Sequence, residues 1–246
     1  MKRENLYLST TAPDAASLAR AQDLGVEIAE FCTAWNMGEA LEETQKGLSQ
    51  ALAGISRRVL HGPFNELFPC AIDPYARRLA AYRYRQAVDL AKEYGASKVV
   101  IHGGFQPRMY YPVWYVEQSI LFWKEFLQED PGVEIVLENV LEEKPEILRD
   151  ILAGVDNPRL KMCLDIGHVN VYSQVPVETW METCAPWLSH FHVHNNDGTW
   201  DTHSALTEGN LPIRKILDSI DRLCPEATVT LELLEAEPSL HWLLEE

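Results

Sequence analysis

The regular alternation of strand-like and helix-like segments most constrains the fold of this chain. Eight short runs rich in β-branched and apolar residues lie at 5–9, 26–31, 57–62, 98–104, 133–139, 160–167, 188–195 and 227–233. Segments with helical spacing of apolar residues lie between them, at 14–24, 40–54, 75–94, 114–128, 145–154, 177–184 and 212–223. Strands that alternate with helices pair in parallel, and eight such units in about 250 residues predict a closed (β/α)₈ barrel. We therefore expect an α/β protein with a single TIM-barrel domain over residues 1–246.

An open, doubly wound sheet is the alternative architecture. That fold typically carries a glycine-rich turn after the first strand, but the segment "LSTTAPD" contains no glycine. The sequence also lacks an apolar run of the roughly 20 residues that cross a bilayer, and "MKRENLYLST" lacks the apolar core of a signal peptide. Its five cysteines are dispersed and odd in number, which favours reduced thiols. We expect a cytoplasmic protein with no membrane partner.

The charge of the chain constrains its partners. Acidic residues number 37 against 21 basic ones, so the net charge is -16 and the average surface repels phosphate backbones. Arginines cluster in "ARRLAAYRYR" (76–85), on a helix of the outer wall, whereas the predicted mouth loops offer chiefly Arg108, Arg214 and Lys215. This pattern disfavours duplex DNA and favours a small phosphorylated or sugar substrate. It is also compatible with a homo-oligomer.

The ends of the predicted strands carry the chemistry. In a barrel of this type, the carboxyl ends of the strands converge on one face, where the loops form the active site. Six successive strands end in side chains that can bind a metal: His61, His102, Glu138, Asp165 with His168, His194, and Glu232. Several carboxylates buried together repel one another and lose hydration, and a divalent cation removes that cost. The pattern therefore predicts a divalent-metal site at the mouth of the barrel.

Two short motifs add ligands to this predicted site. "DIGH" places Asp165 and His168 three residues apart just past a strand, where we expect Gly167 to let the backbone turn. "DTH" places Asp201 and His203 two residues apart in the loop after the seventh strand, a spacing that can clamp an ion. Imidazole and carboxylate ligands without cysteine suit Zn²⁺, Mn²⁺, Fe²⁺ or Co²⁺ better than Ca²⁺.

The motif series resembles a known superfamily. "HGPF", "VVIHGG", "VLEN", "DIGH", "HVHNNDG", "DTHSALTEGN" and "TLELLE" follow one another between about residues 57 and 235. This series is similar to that of the xylose-isomerase-like TIM barrels, which include sugar isomerases and epimerases, endonuclease IV and the wider AP endonuclease family 2. The resemblance implies one of two metal sites.

For an isomerase or epimerase, the resemblance implies one Mn²⁺-like ion held by Glu138, Asp165, His194 and Glu232. The two glutamates would also act as acid and base, and His168 would contact the substrate. The endonuclease IV pattern implies three zinc ions at nine positions: His61, His102, Glu138, Asp165, His168, His194, Asp201, His203 and Glu232. All nine residues are present in this chain.

The number of ligands separates two enzyme classes. A single-metal isomerase has no need of His61, His102, Asp201 and His203 as ligands, so their presence favours a hydrolase with two or three zinc ions acting on a small phosphoester. The alternative is a one-metal, Mn-type sugar isomerase or epimerase that works through an enediolate. Abasic-site cleavage and non-catalytic sugar binding are minor alternatives.

Two details of the predicted site complete the sequence-based expectations. His190, His192 and His194 alternate along one strand and point to the same side, so a bulge would exchange the roles of His192 and His194. Substrate contacts are predicted from aromatic, guanidinium and amide side chains in the loops after the second and fourth strands. These residues are Phe105, Arg108, Tyr110, Trp114, Trp35 and Asn36.

Overall fold

A computed structural model describes residues 2–244, which form a closed barrel of eight parallel strands. The strands are β1 (Leu6–Ser9), β2 (Gly25–Ile28), β3 (Arg58–His61), β4 (Lys98–His102), β5 (Glu134–Glu138), β6 (Leu160–Asp165), β7 (Leu188–Val193) and β8 (Thr228–Leu231). Each strand pairs with its neighbours in sequence, and β1 pairs with β8 to close the barrel. The predicted (β/α)₈ fold is confirmed. Met1, Glu245 and Glu246, at the ends of the predicted domain, lie outside the described residues.

Helices surround the barrel. They are α1 (Ala15–Gln22), α2 (Leu41–Ala51), α3 (Pro74–Glu93), α4 (Pro112–Phe126), α5 (Glu146–Val155), α6 (Ile166–Tyr172), α7 (Val177–Cys184), α8 (Ile213–Leu223) and α9 (Glu237–Leu244). Helix α6 was not predicted from the sequence, because its seven residues are too few for a helical period to emerge. Among residues 2–244, no helix combines the length and hydropathy that a membrane-spanning helix requires.

The main core lies between the strands and the surrounding helices. Aromatic side chains dominate it where α3 meets α4: the rings of Tyr84 and Trp123 stack with their centroids 5.8 Å apart and their planes within 3°. Both side chains are fully buried. Packing of this kind fixes the helices against the barrel and so holds the strand ends in place.

The interior of the barrel changes character along its axis. An apolar cluster inside the barrel consists of Tyr7, Val59, Val100, Val136 and Cys163. Because side chains alternate along a strand, the inward positions two residues nearer the mouth are those that close each strand. Those positions carry His61, His102, Glu138 and Asp165. The apolar cluster therefore lies beneath a layer of polar side chains at the carboxyl ends of the strands, here called the mouth.

Candidate metal centre

Glu138, the last residue of β5, is the hub of the polar layer. It is 1% exposed, and its Oε2 lies 3.0 Å from His102 Nε2 and 3.4 Å from His61 Nε2. Its Oε1 lies 3.2 Å from His192 Nδ1 and 3.4 Å from His168 Nδ1. Burial alone would raise the pKa of this carboxyl, but His102 and His192 hold it well below its usual range. Glu138 is therefore a buried carboxylate surrounded by four imidazoles.

Three carboxylates and one histidine converge above the barrel core. The ligand atoms of Glu138, Asp165, His192 and Glu232 all lie within 4.8 Å of one another, and we call these residues the quartet. His192 Nδ1 lies 3.1 Å from Glu232 Oε2 and 3.7 Å from Asp165 Oδ2. One imidazole nitrogen cannot hydrogen-bond well to three carboxylates at once, whereas one cation accepts all four groups as ligands.

An orphaned oxygen supports the same interpretation. Glu138 Oε2 is buried and accepts no hydrogen bond from residues 2–244, although His102 Nε2 lies only 3.0 Å away. Two ligand atoms that point at the same ion lie close together but are not aligned for a hydrogen bond to each other, as is the case for Glu138 Oε2 and His102 Nε2. The oxygen and nitrogen donors of the quartet suit Zn²⁺ or Mn²⁺. The residues present therefore fit a divalent cation.

The quartet contains His192, at the position for which the resemblance implied His194 and for which His192 was the alternative. β7 ends at Val193, so His194 lies beyond the strand. Its Nε2 is 3.2 Å from Asp165 Oδ1, and its ring stacks on His203 with centroids 4.1 Å apart. A shift in the pairing of β6 with β7 falls between Met162 and Cys163 and aligns Asp165 with His192. Alternation along the strand could not choose between the two histidines, because both side chains point inward.

Among residues 2–244, four further groups of possible ligands share a residue with the quartet or lie beside it, and two of these groups lie at the mouth. His61 and His102 form one with Glu138, and His168, Asp201 and His203 form the other. Together with the quartet, these clusters bring together all of the predicted ligand positions except His194, and they add His192. The predicted clamp of Asp201 and His203 therefore lies at the mouth, beside the quartet.

Asp201 joins two histidines of the second cluster. Its Oδ2 lies 3.1 Å from His168 Nε2 and 3.3 Å from His203 Nε2. Burial would raise the pKa of Asp201, but these two histidines hold it far below its usual range. Burial also opposes the charged form of His203, yet Asp201 and the other carboxylates raise its pKa to about 9. His203 adopts a left-handed backbone (φ 47°), which places its Nδ1 3.0 Å from the carbonyl oxygen of Glu232.

Gly167 in the "DIGH" motif has a different role from the predicted turn. It lies inside α6, which begins directly after Asp165, and the Asp165 side chain accepts a hydrogen bond of 2.7 Å from the His168 backbone N–H. A Cβ atom at Gly167 would lie 1.9 Å from Cε1 of His194. Glycine is therefore required here because the histidine ring packs against its Cα, and not because of a special backbone conformation.

Gly167→Ala is expected to lower the free energy of unfolding by about 1–3 kcal/mol, because the added methyl group must displace His194 or α6. Chemical denaturation measures this change. Gly47→Ala is the matched control, since Gly47 also lies in a helix but nothing lies within 4 Å of its added Cβ. The control variant is expected to be as stable as the parent or more so. Equal stability of the two variants would contradict the packing role of Gly167.

A cavity of about 410 Å³ opens over the clusters. His61, His102, Glu138, His168 and Glu232 lie on its floor and walls. Its apolar rim comes from the loops after β3, β4 and β5, through Phe64, Leu67, Phe68, Phe105, Val140 and Leu141. The cavity is large enough for a small organic substrate, which would then lie directly on the metal-binding groups.

The structure places only one of the predicted substrate residues, Phe105, on the wall of this cavity. Arg108 is exposed outside it, and the Trp114 indole donates a hydrogen bond of 2.9 Å to the carbonyl of Cys70. Tyr110 is buried beside the same loop, while Trp35 and Asn36 line a separate groove with Glu30. The aromatic residues after β4 mostly pack on the barrel, as an amphipathic loop that covers apolar surface does.

Two residues of the candidate site were missed by the sequence analysis. Phe64 stacks on the His102 ring with centroids 4.4 Å apart and so forms a wall of the cavity. Phe64 could have been predicted from the sequence, because it belongs to the "HGPF" motif, which also contains His61. Glu27, inside β2, contacts His190 and His192 from beneath the quartet. A single glutamate in a short strand gives no sequence signal that separates it from an outward-facing residue.

Comparison with known proteins identifies related sequences. The model of the Xylose isomerase-like TIM barrel family matches residues 18–245. A curated relative, the fructoselysine 3-epimerase of Shigella flexneri, is 30% identical over 164 residues. The match covers 61% of this chain and 57% of that protein, so this chain spans less than two thirds of the relative's length.

Solved structures share the fold over nearly the whole chain. A D-tagatose 3-epimerase-like protein superposes with a TM-score of 0.78 at 23% identity, covering 98% of this chain and 96% of the other. A Thermus thermophilus protein, from a crystal soaked with ZnCl₂, gives a TM-score of 0.77 at 27% identity. That match covers 97% of this chain and 96% of the other.

Proposed function

The chain belongs to the xylose isomerase-like TIM barrel family, and on this basis we propose that it is a metal-dependent sugar epimerase or isomerase acting as a single domain. The observation that carries the proposal is the quartet, whose three carboxylates and one imidazole converge within 4.8 Å at the floor of the cavity. The 30% identity to a fructoselysine 3-epimerase supports this reaction class over the hydrolase favoured by the sequence analysis. Of the relatives described above, the two whose names state an activity are both named for epimerases.

The quartet would hold one divalent cation. The ion would supply Lewis-acid stabilisation of the negative charge that develops on substrate oxygens. Asp165 and His192 are completely buried, whereas Glu138 and Glu232 also line the cavity. The two glutamates can therefore reach a substrate as well as an ion.

Glu138 and Glu232 are the proposed acid–base pair. One glutamate, ionised, would take a proton from a carbon next to a carbonyl, and the other, carrying a proton, would donate it to the opposite face, so that the pair holds one proton before and after the reaction. The pKa of Glu232, which burial would raise, is lowered by His192 and His203, so this group is ionised and able to accept a proton. Phe64 and Phe105 on the cavity wall would exclude water from the reacting carbons.

The lining of the cavity favours an unphosphorylated sugar. Among the described residues that line it, none is a lysine or an arginine, and Arg108 lies outside. A phosphate group commonly requires a guanidinium, an ammonium or a free helix amino terminus as its partner. The net charge of -16 also opposes a nucleic-acid substrate. We therefore propose a free sugar or a sugar conjugate without phosphate.

A direct test incubates the metal-loaded protein with free ketoses in D₂O. Epimerisation at C3 or aldose–ketose isomerisation would move deuterium from solvent onto the reacting carbon, which NMR detects together with the product. The expected result is metal-dependent deuterium incorporation with at least one sugar. Incorporation with none of a broad panel, by protein that binds metal, would contradict the proposed function.

Hydrolysis of a small phosphoester remains the second candidate, because the two further clusters add His61, His102, His168, Asp201 and His203 around the quartet. Such additional ligands are suited to two or three zinc ions, which activate water and neutralise a phosphoester. The metal content of protein purified without chelator separates the candidates. About one ion per chain would favour the epimerase, whereas two or three zinc ions with phosphoesterase activity would favour the hydrolase.

A further inference from the structure

Glu27 is a buried carboxylate that lies beneath the quartet and has no place in the proposed chemistry. It is in β2, with no exposed surface. Its Oε2 accepts a hydrogen bond of 3.2 Å from His192 Nε2 and lies 2.9 Å from His190 Nε2, while its Oε1 lies 3.0 Å from His192 Nε2. The Thr230 hydroxyl donates a further hydrogen bond of 2.6 Å to Oε2. A fully buried carboxylate costs much free energy unless it is hydrogen-bonded. The hydrogen bonds to Oε2 offset part of that cost, whereas Oε1 is buried and accepts no hydrogen bond from residues 2–244.

Glu27 and the quartet contact different nitrogens of His192. Nε2 faces Glu27, while Nδ1 faces Glu138 and Glu232 at 3.2 and 3.1 Å. A neutral imidazole carries a proton on one nitrogen and a lone pair on the other. A carboxylate on the Nε2 side favours the tautomer with the proton on Nε2. The lone pair of Nδ1 then points toward the quartet.

The neighbours of Glu27 reinforce this orientation. Lys98 Nζ donates to the Thr228 hydroxyl over 2.9 Å, and that hydroxyl lies 2.6 Å from His190 Nδ1. Because a carboxylate only accepts hydrogen bonds, His190 donates to Glu27 through Nε2, and in that neutral tautomer its Nδ1 accepts from the Thr228 hydroxyl. With His190 and Thr230 both donating to it, Glu27 is kept as an ionised acceptor for His192.

We propose that Glu27 is a positioning residue: it fixes the tautomer and ring orientation of His192 and thereby sets the affinity of the quartet for a divalent cation. This inference rests on the metal centre of the proposed function. Glu27 acts through the imidazole and does not touch the substrate. A carboxylate hydrogen-bonded to the outer nitrogen of a metal-binding histidine also makes the inner nitrogen more basic, and loss of such a partner typically weakens metal binding by about 10–100-fold.

The test compares Zn²⁺ affinities of metal-free protein, measured by competition with a chromophoric chelator. Glu27→Gln keeps the size of the side chain but removes the charge, and is expected to weaken binding by about 10–100-fold. Glu142→Gln is the matched control. Glu142 is also buried, at 3% exposure, and binds the Tyr115 hydroxyl and the Val140 amide instead of His192. The control variant is expected to bind zinc as the parent does.

A second readout separates orientation from general loosening of the site. NMR of zinc-loaded protein with ¹⁵N-labelled histidine should show that His192 of the parent is protonated at Nε2. The resonance of that proton should lie downfield, as expected for a hydrogen bond to a carboxylate. Glu27→Gln should lose that downfield position. Should Glu27→Gln fail to fold, Thr230→Val removes only one hydrogen bond to Glu27 and is expected to weaken zinc binding roughly threefold.

The outcomes distinguish this inference from the proposed function. Parent protein that binds no divalent cation would contradict the metal centre itself. Parent and Glu27→Gln proteins that bind zinc equally, with the same His192 spectrum, would overturn the positioning role and leave the proposed function intact. Equal weakening by Glu27→Gln and Glu142→Gln would also overturn it, since any buried carboxylate would then have the same effect.

Discussion

Glu138→Gln is expected to lower the rate of sugar epimerisation by at least about 10²–10⁴-fold, the range that one acid–base group contributes. The substitution removes a charge that lies within 3.4 Å of four histidines and belongs to both the quartet and the neighbouring cluster. The substitution therefore both removes a proton acceptor and weakens the ion-binding site. Deuterium exchange at the reacting carbon measures the chemical step without the need for product release.

A control for Glu138→Gln comes from the same cavity. Glu66 is an exposed carboxylate on the cavity rim, outside the metal-binding clusters found among residues 2–244. Glu66→Gln is expected to retain the exchange rate within a few-fold. Metal analysis of both variants shows how much of the lost exchange rate in Glu138→Gln is due to weaker binding of the ion. Full exchange activity in Glu138→Gln would remove Glu138 from the reaction and would contradict the proposed mechanism.

Removal of the divalent cation with a chelator is expected to abolish activity and to lower the melting temperature. An ion present at about 1,000 times its Kd adds about 4 kcal/mol to the free energy of unfolding. For a chain of 150–250 residues this corresponds to roughly 8–16 °C. The melting temperature is expected to fall because the three carboxylates of the quartet repel one another once the ion that neutralised them is removed. Thermal denaturation with and without metal measures the shift.

The metal-free protein is nevertheless expected to stay folded. Burial disfavours the charged form of His192, but Cys163 and the carboxylates of Glu27, Glu138 and Glu232 raise its pKa well above the ordinary value. A protonated histidine then takes over part of the charge balance that the ion supplied. Addition of Zn²⁺ or Mn²⁺ should restore the melting temperature, whereas Mg²⁺ should do so less well. A melting temperature unchanged by chelation of protein with bound metal would contradict the role of the quartet as its site.

The barrel and most residues of its candidate metal centre were predictable from the sequence for a physical reason. The inward residue at the end of each strand is fixed once the strand is located, so His61, His102 and Glu138 follow from the pattern alone. The proximity of Asp201 and His203 to the site followed from the same argument, because the loop after β7 lies at the mouth. These predictions use only the periodicity of the sequence and the rules for connecting strands and helices, so they require no knowledge of side-chain packing.

Packing decided the features that the sequence did not reveal. The choice between His192 and His194 depended on where β7 ends and on a register shift against β6. Gly167 was assigned to a turn, because contact of its Cα with the His194 ring arises only in three dimensions. Of the predicted substrate residues near Arg108, only Phe105 lines the cavity, because an aromatic loop can cover either a substrate or the barrel itself.

The contacts of Glu27 also bear on how this protein folds. Glu27 meets Thr230 across 203 residues of sequence, and β1 pairs with β8 to complete the ring of strands. Contacts between residues so far apart in sequence form late in folding, because a long loop must close before they contribute any stability. The ion-binding geometry is therefore absent from any partly folded chain that lacks the last strand. Capture of a metal would report the moment at which the ring of strands closes.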